Sequence, residues 1–288
     1  MRRITYLGML LGAHVSISGS VDKAVDRAKD LGCTTFQIFT RNPRGWTAKP
    51  FKKGEVEEFR RKFEEYGFKV AVAHMPYLPN LASPDKSVYR KSVKSLMEEL
   101  KRTERLGLPY LVLHVGSHLG KGIEGGIKRV AGGINKAFSK VDNDVMLLLE
   151  NMAGQKNSVG SRFEDIRRII DLIEDKSRIG VCFDTCHAFA AGYDLRTKKA
   201  IQNTLEDFDK IIGLRMLKVV HINDSKGDLG SCIDRHEHLG LGKIGLRGLK
   251  EFVHHPAIRP LPLILETPVD SRGNFKTNLA KLKKIYQG

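Results

Sequence analysis

Short apolar runs bounded by glycine or polar residues recur eight times along the chain, each followed by a stretch long enough for a helix. They are L-G-A-H-V, T-F-Q-I-F-T, V-A-V-A-H, Y-L-V-L-H-V, V-M-L-L-L-E-N, I-G-V-C-F-D-T, L-K-V-V-H-I-N and L-P-L-I-L-E-T, ending near residues 14, 40, 74, 114, 150, 184, 221 and 266. Runs of this length and composition read as buried strands. The segments between them change to helical spacing, as in Val21, Ala24, Val25, Ala28 and Leu31 before Gly32, or Val56, Phe59, Phe63 and Tyr66 before Gly67. Ser161 and Glu164 have capping-box spacing ahead of Ile166, Ile169, Ile170 and Ile173 and predict a helix start there. Alternation of this kind implies a parallel sheet, and eight repeats in 288 residues favour closure into a (β/α)8 TIM barrel over an open sheet. No Pro/Gly/Ser-rich linker interrupts the pattern, so residues 1–288 are expected to form a single domain.

Composition narrows the class. With 41% hydrophobic and 28% charged residues and no low-complexity run, disorder is excluded as a reading. No stretch approaches the roughly 18 apolar residues of a membrane span, and the run in M-R-R-I-T-Y-L-G-M-L-L-G is too short for a signal peptide, so a cytoplasmic protein is expected. Cys33, Cys182, Cys186 and Cys232 form no C-x-x-C pair and read as reduced, buried thiols. The net charge of +16 favours a polyanionic partner, nucleic acid above all.

A barrel carries its site at the carboxyl ends of its strands, and the unusual residues gather there. His14, His74, His114, Glu150, Asp184, His221 and Glu266 all end apolar runs, with His187 just beyond the sixth. A single strand-end histidine or carboxylate can serve a loop carbonyl or a helix cap. Several converging on one mouth repel or stay unpaired unless ions or a charged ligand hold them. Asp234 and His236, two apart in C-I-D-R-H, point the same way from an extended chain and can chelate one ion. Asp184 and His187, three apart in F-D-T-C-H, diverge from an extended chain and can serve neighbouring ions. A set of five histidines and four acids suits zinc or manganese better than calcium and exceeds the needs of one ion.

The chain resembles the endonuclease IV family, the zinc-dependent apurinic/apyrimidinic endonucleases. The resemblance rests on H-V-G-S-H at 114–118, L-E-N-M-A-G-Q at 149–155, C-F-D-T-C-H-A-F-A-A-G-Y-D at 182–194, H-I-N-D-S-K at 221–226, D-R-H-E-H-L-G-L-G at 234–242 and L-I-L-E-T-P at 263–268, and runs from G-A-H-V-S at 12–16 through the eighth strand. It implies three Zn2+, with Mn2+ an alternative. His74, His114 and Glu150 would hold the first; Glu150 as a bridge, Asp184, His221 and Glu266 the second; His187, Asp234 and His236 the third. It also implies hydrolysis of the phosphodiester 5′ to an abasic site in double-stranded DNA, by a hydroxide held between two ions about 3.5 to 4 Å apart, leaving a 3′ hydroxyl and a 5′ deoxyribose phosphate. Glu150 and Glu266 would be the catalytic carboxylates, and cleaning of damaged 3′ ends is a further implied activity. Arg44, in R-N-P-R-G-W, and Tyr77 and Leu78, in M-P-Y-L-P-N, match family residues that enter the DNA. Nothing in the sequence asks for an oligomer, so a monomer is expected.

Two rivals are weaker. A TIM-barrel sugar isomerase or epimerase also uses His, Asp and Glu at strand ends, but leaves the third ligand set and the basic charge unexplained. A non-catalytic binder of damaged DNA with a structural metal cluster has no use for a bridged, open pair of ions.

Overall fold

The computed structural model describes residues 8–288, so the first seven residues, on which the amino-terminal reading partly rested, lie outside the described residues. The strands follow the expected order: β1 (Leu11–Ala13), β2 (Gln37–Phe39), β3 (Val72–His74), β4 (Tyr110–His114), β5 (Met146–Glu150), β6 (Ile179–Asp184) and β7 (Leu217–His221). A hairpin of β8 (Asp224–Ser225) and β9 (His236–Glu237) comes next, then β10 (Leu263–Leu265). The helices are α1 (Lys23–Asp30), α2 (Glu55–Glu65), α3 (Lys86–Arg105), α4 (Ile123–Phe138), α5 (Phe163–Asp171), α6 (Thr185–Ala190), α7 (Lys198–Ile211), α8 (Gly245–His254) and α9 (Phe275–Gln287).

All strands but β8 and β9 form one parallel sheet in the order β1-β10-β7-β6-β5-β4-β3-β2. The seam between β1 and β2 is drawn together by a bridge from His14 to Gln37, with Thr34 N–H donating to Leu11 O at 2.9 Å and Val15 N–H to Gln37 O at 2.8 Å. Gly12 is required at this seam, because a Cβ there would lie 1.8 Å from the Thr35 carbonyl oxygen. The result is the expected TIM barrel.

Strand periodicity sorts the side chains. Phe36, Ile38, Leu111, Leu113, Leu147, Leu149, Val181 and Phe183 face the helices and join the outer core. The opposite face of the same strands sends Leu10, Val70, Val72, Tyr110, Val112, Leu148, Cys182, Val219 and Ile264 into a separate buried cluster that fills the barrel. Among the described residues no helix is long and apolar enough to cross a membrane.

Three local expectations are corrected. Helix α5 starts at Phe163 with Arg162 as its N-cap and no side-chain cap, so Ser161 and Glu164 form no capping box. The Phe163 N–H instead donates to Tyr193 Oη at 3.0 Å, a partner distant in sequence. Cys33, Cys182 and Cys186 are buried, but Cys232 is exposed, in a loop where its φ is 57°. The chain from Asp184 to His187 is the first turn of α6 and not extended, with the Asp184 carboxylate accepting from the His187 N–H at 2.8 Å.

Candidate metal centre

Strand register brings distant residues side by side at the carboxyl end of the barrel. His114 pairs with Glu150 across β4 and β5, and Asp184 with His221 across β6 and β7, past a register shift at Val181 and Cys182. His74 ends β3, and Glu266 follows β10 directly. The hairpin of β8 and β9 folds over this end and carries His236, with Asp234 just before it. Ligand-capable atoms consequently lie within 4.8 Å of one another in the groups His74, His114 and Glu150; Glu150, Asp184, His221 and Glu266; and His187, Asp234 and His236. Asp184, Cys186 and His236 form a further such group, in which burial pushes the Cys186 thiol up to about 12.

Glu150 is the hub. One carboxylate oxygen lies 3.3 Å from His74 Nε2 and 3.0 Å from His114 Nε2, the other 2.9 Å from His221 Nδ1 and 3.4 Å from His187 Nδ1. Asp234 Oδ1 is 3.1 Å from His187 Nε2 and 3.8 Å from His236 Nε2, and Asp184 Oδ2 is 3.5 Å from His236 Nε2.

In three of the rings the second nitrogen shows which atom is free to bind. His74 Nδ1 donates to Met75 O at 2.7 Å, His187 Nδ1 to Asn151 O at 2.9 Å and His236 Nδ1 to Glu266 O at 3.1 Å. Each bond fixes the tautomer with a bare Nε2 turned to the cluster, the arrangement of metal-ligating imidazoles. His236 Nε2 is buried with no hydrogen-bond partner, a cost that a bound cation would remove. Mixed nitrogen and oxygen donors fit a borderline divalent ion.

The electrostatics agree. Burial alone would raise the Glu150 carboxyl, yet the facing His221 and His114 hold it well below the usual carboxylate range. Glu266 is likewise pushed up by burial and pulled well down, chiefly by His221 and a bond from His14. Burial lowers His187, but Asp184 and Asp234 more than reverse this and raise it well above the ordinary imidazole value. Glu150 and Glu266 thus stay ionised, and the acids around His187 draw a proton onto its ring, or a metal ion in place of that proton.

A cavity of about 370 Å3 opens above the cluster, lined by His74, His114, His187, Asp234, His236 and Glu266 together with Tyr77. Glu150 lies beneath it, fully buried. At the rim Tyr77 is 62% and Leu78 39% exposed, and Arg44 is exposed on the neighbouring loop. The two loops are joined by a 3.1 Å bond from Tyr77 N–H to Pro43 O.

Sequence reasoning missed the residues that hold the candidate ligands in place. Asn151 Nδ2 donates to Asp184 O at 3.1 Å, and Asn223 Nδ2 to Asp184 Oδ2 at 2.8 Å, while Asn223 Oδ1 accepts from the Glu266 N–H at 2.8 Å. Their signal was an asparagine directly after an apolar run, in L-E-N and H-I-N.

The family described as Xylose isomerase-like TIM barrel matches residues 25–285. A protein of Methanoculleus marisnigri named probable endonuclease 4 is 55% identical over 278 residues, covering 96% of this chain and 99% of that one. The chain belongs to the endonuclease IV family. The crystal structure of endonuclease IV from Thermus thermophilus is 39% identical, covers 95% of this chain and 99% of its own, and superposes with a TM-score of 0.83. A 3-keto-D-glucoside 4-epimerase from E. coli, at 14% identity, TM-score 0.69 and coverage of 98% and 100%, shares the fold alone. The likeness to endonuclease 4 at 55% identity outweighs the likeness to an epimerase, which extends to the fold alone.

Proposed function

We propose that this chain is a DNA-repair endonuclease that hydrolyses the backbone 5′ to an abasic site, leaving a 3′ hydroxyl and a 5′ deoxyribose phosphate. The observation that carries this reading is the convergence of nine ligand-capable side chains under a cavity whose rim presents Tyr77, Leu78 and Arg44.

Three ions fit the groups: His74, His114 and Glu150 for one; Glu150, Asp184, His221 and Glu266 for a second; His187, Asp234 and His236 for a third. Zinc or manganese bound there supplies Lewis acidity at the phosphoryl oxygens and a nucleophile from water at neutral pH. Glu150, fully buried and central to the cluster, would be shared by the first two ions and would fix the spacing of the ligands. Glu266, 17% exposed and lining the cavity, orients the attacking water and takes its proton. No covalent enzyme intermediate is invoked: burial pushes the thiols of Cys182 and Cys186 up to about 12.

An abasic nucleotide rotates out of the duplex cheaply because it has no base to unstack. Tyr77 and Leu78 fill the space left in the stack, and Arg44 contacts the strand at the minor groove. Blocked 3′ ends present the same phosphodiester to the same cavity and are substrates on this reading.

A labelled duplex carrying one abasic analogue, compared with its undamaged twin, tests the proposal. Metal-loaded protein is expected to cut only the damaged strand, 5′ to the lesion; an intact damaged strand overturns the reading. Removal of the ions by prolonged chelation is expected to abolish cutting, and full activity after verified removal contradicts the metal role.

A further inference from the structure

T-F-Q-I-F-T contains a polar residue where strand alternation points into the barrel. Gln37 on β2 is fully buried, between Phe36 and Ile38, which face the opposite way into the outer core. A carboxamide withdrawn from water must place its donors and acceptor, and Gln37 places them on two residues of the candidate metal centre and on the neighbouring His14. Its Oε1 lies 2.8 Å from His221 Nε2; its Nε2 lies 2.7 Å from Glu266 Oε1 and 2.9 Å from His14 Nδ1.

His221 is turned the opposite way from His74, His187 and His236. Its Nδ1 faces the acids, 2.9 Å from Glu150, 3.3 Å from Glu266 and 3.9 Å from Asp184, so Nε2 carries the proton and must find an acceptor. The other three rings donate to backbone carbonyls that the fold supplies. For the His221 Nε2–H that acceptor is a side chain, the Gln37 carboxamide oxygen. The amide orientation is dictated as well: reversed, it would set a donor against the His221 N–H and an oxygen 2.7 Å from the Glu266 carboxylate.

We infer that Gln37 is a positioning residue, whose carboxamide locks the His221 tautomer and the Glu266 carboxylate together as ligands of one ion. The inference rests on the proposed metal centre. Because both partners belong to the group of Glu150, Asp184, His221 and Glu266, its effect is confined to that ion and spares the site built on His187, Asp234 and His236.

The test uses the zinc-loaded full chain, with Gln37→Met to remove the polar contacts at similar volume and Gln37→Glu to keep an acceptor for His221. Zinc per chain and its release to a chromophoric chelator are followed, with the visible spectrum of the cobalt-substituted protein alongside. Gln37→Met is expected to speed one release phase about 10- to 100-fold and change the cobalt spectrum, leaving the other phases at wild-type rates. Gln37→Glu is expected to slow that phase back toward wild type, while losing incision because a second carboxylate now faces Glu266. Wild-type release and spectrum in Gln37→Met overturn the inference, as does equal acceleration of every phase, which marks general loosening. If Gln37→Met does not fold, Gln37→Glu decides: release as fast as from protein lacking His221 overturns the proposed role. A wild-type chain that binds no zinc or cobalt overturns the metal centre itself, a result distinct from a loaded wild type that Gln37 does not influence.

Discussion

Leu148 and Glu150 leave the same strand in the same direction, two residues apart, and meet opposite surroundings. Leu148 belongs to an apolar plug with Val72, Val112, Cys182, Val219 and Ile264. Two residues further along each of those strands stand Glu150, His74, His114, Asp184, His221 and Glu266. One step of the pleat therefore separates an apolar floor from an ionisable layer on β3 to β7 and β10. Burying Leu148 contributes about 2 to 3 kcal/mol to stability, whereas burying an unpaired carboxylate such as Glu150 costs several. The plug is a reason to fold, and the layer above it is tolerated because its charges face one another and the ions they are built to hold. The plug also denies the ligands room to relax downward.

If that division is right, a change in the upper layer should remove function and spare the fold. Glu150→Gln keeps the volume and removes the charge that touches four imidazoles. Incision is expected to fall by about a thousandfold or more, roughly 4 kcal/mol of transition-state stabilisation, with circular dichroism unchanged. Wild-type turnover would remove the bridging role from Glu150.

A second buried charge group sharpens the comparison because its carboxylate meets a guanidinium instead of imidazoles. Glu99 on α3 accepts from Arg41 Nε and from Thr40 Oγ1, both at 2.6 Å, while Arg102 reaches Thr40 O and Lys49 O. Together they pin the loop that carries Arg44, since Arg41 also donates to Gly45 O. Glu99→Ala leaves two buried guanidinium groups facing each other, and a stability loss of about 3 to 5 kcal/mol is expected in chemical denaturation. Zinc per chain should stay at the wild-type value; loss of zinc would show that the two charge groups are not independent.

The plug is tested by Leu148→Ala, expected to cost about 3 kcal/mol through the cavity it leaves. The comparison gains an edge if chelator release also quickens, because Glu150 two residues on then stands over a void. Unchanged stability would mean that the plug is not the floor described.

The barrel was legible because strand ends and helix stripes are periodic, and the six candidate ligands at strand ends stood out because they interrupt apolar runs. His236 and Asp234 were found from spacing, but the hairpin that delivers them was not, since strands of two residues such as Asp224–Ser225 carry no period. What holds that hairpin is equally silent in sequence. The buried Asp224 carboxylate accepts from the N–H groups of Ser225, Gly240, Gly242, Ile244 and Gly245, and a Cβ on Gly242 would lie 2.5 Å from it. A turn wrapped around one side chain leaves only a few glycines as its mark. Gln37, Asn151 and Asn223 were hidden for a related reason: a residue that serves another side chain is recognisable only once that partner is placed beside it.

The rim offers the smallest effect, and it bears on whether exposure at the mouth is functional. Tyr77 packs its edge against Phe39, with ring centres 5.1 Å apart, yet remains 62% exposed. An aromatic ring half anchored and half in water is poised to give its free face to a partner, and a base or an abasic gap offers a flat apolar surface of matching size. Tyr77→Ala is expected to weaken binding of the abasic duplex about tenfold, roughly 1.4 kcal/mol, in a titration at fixed salt. Binding of the undamaged duplex, dominated by phosphate contacts from basic residues, should change far less. Equal weakening on both duplexes would make Tyr77 a general contact and leave lesion recognition to the cavity beneath it. A selective loss would extend the division of the barrel upward, from apolar floor through ionisable layer to an apolar rim that meets the lesion.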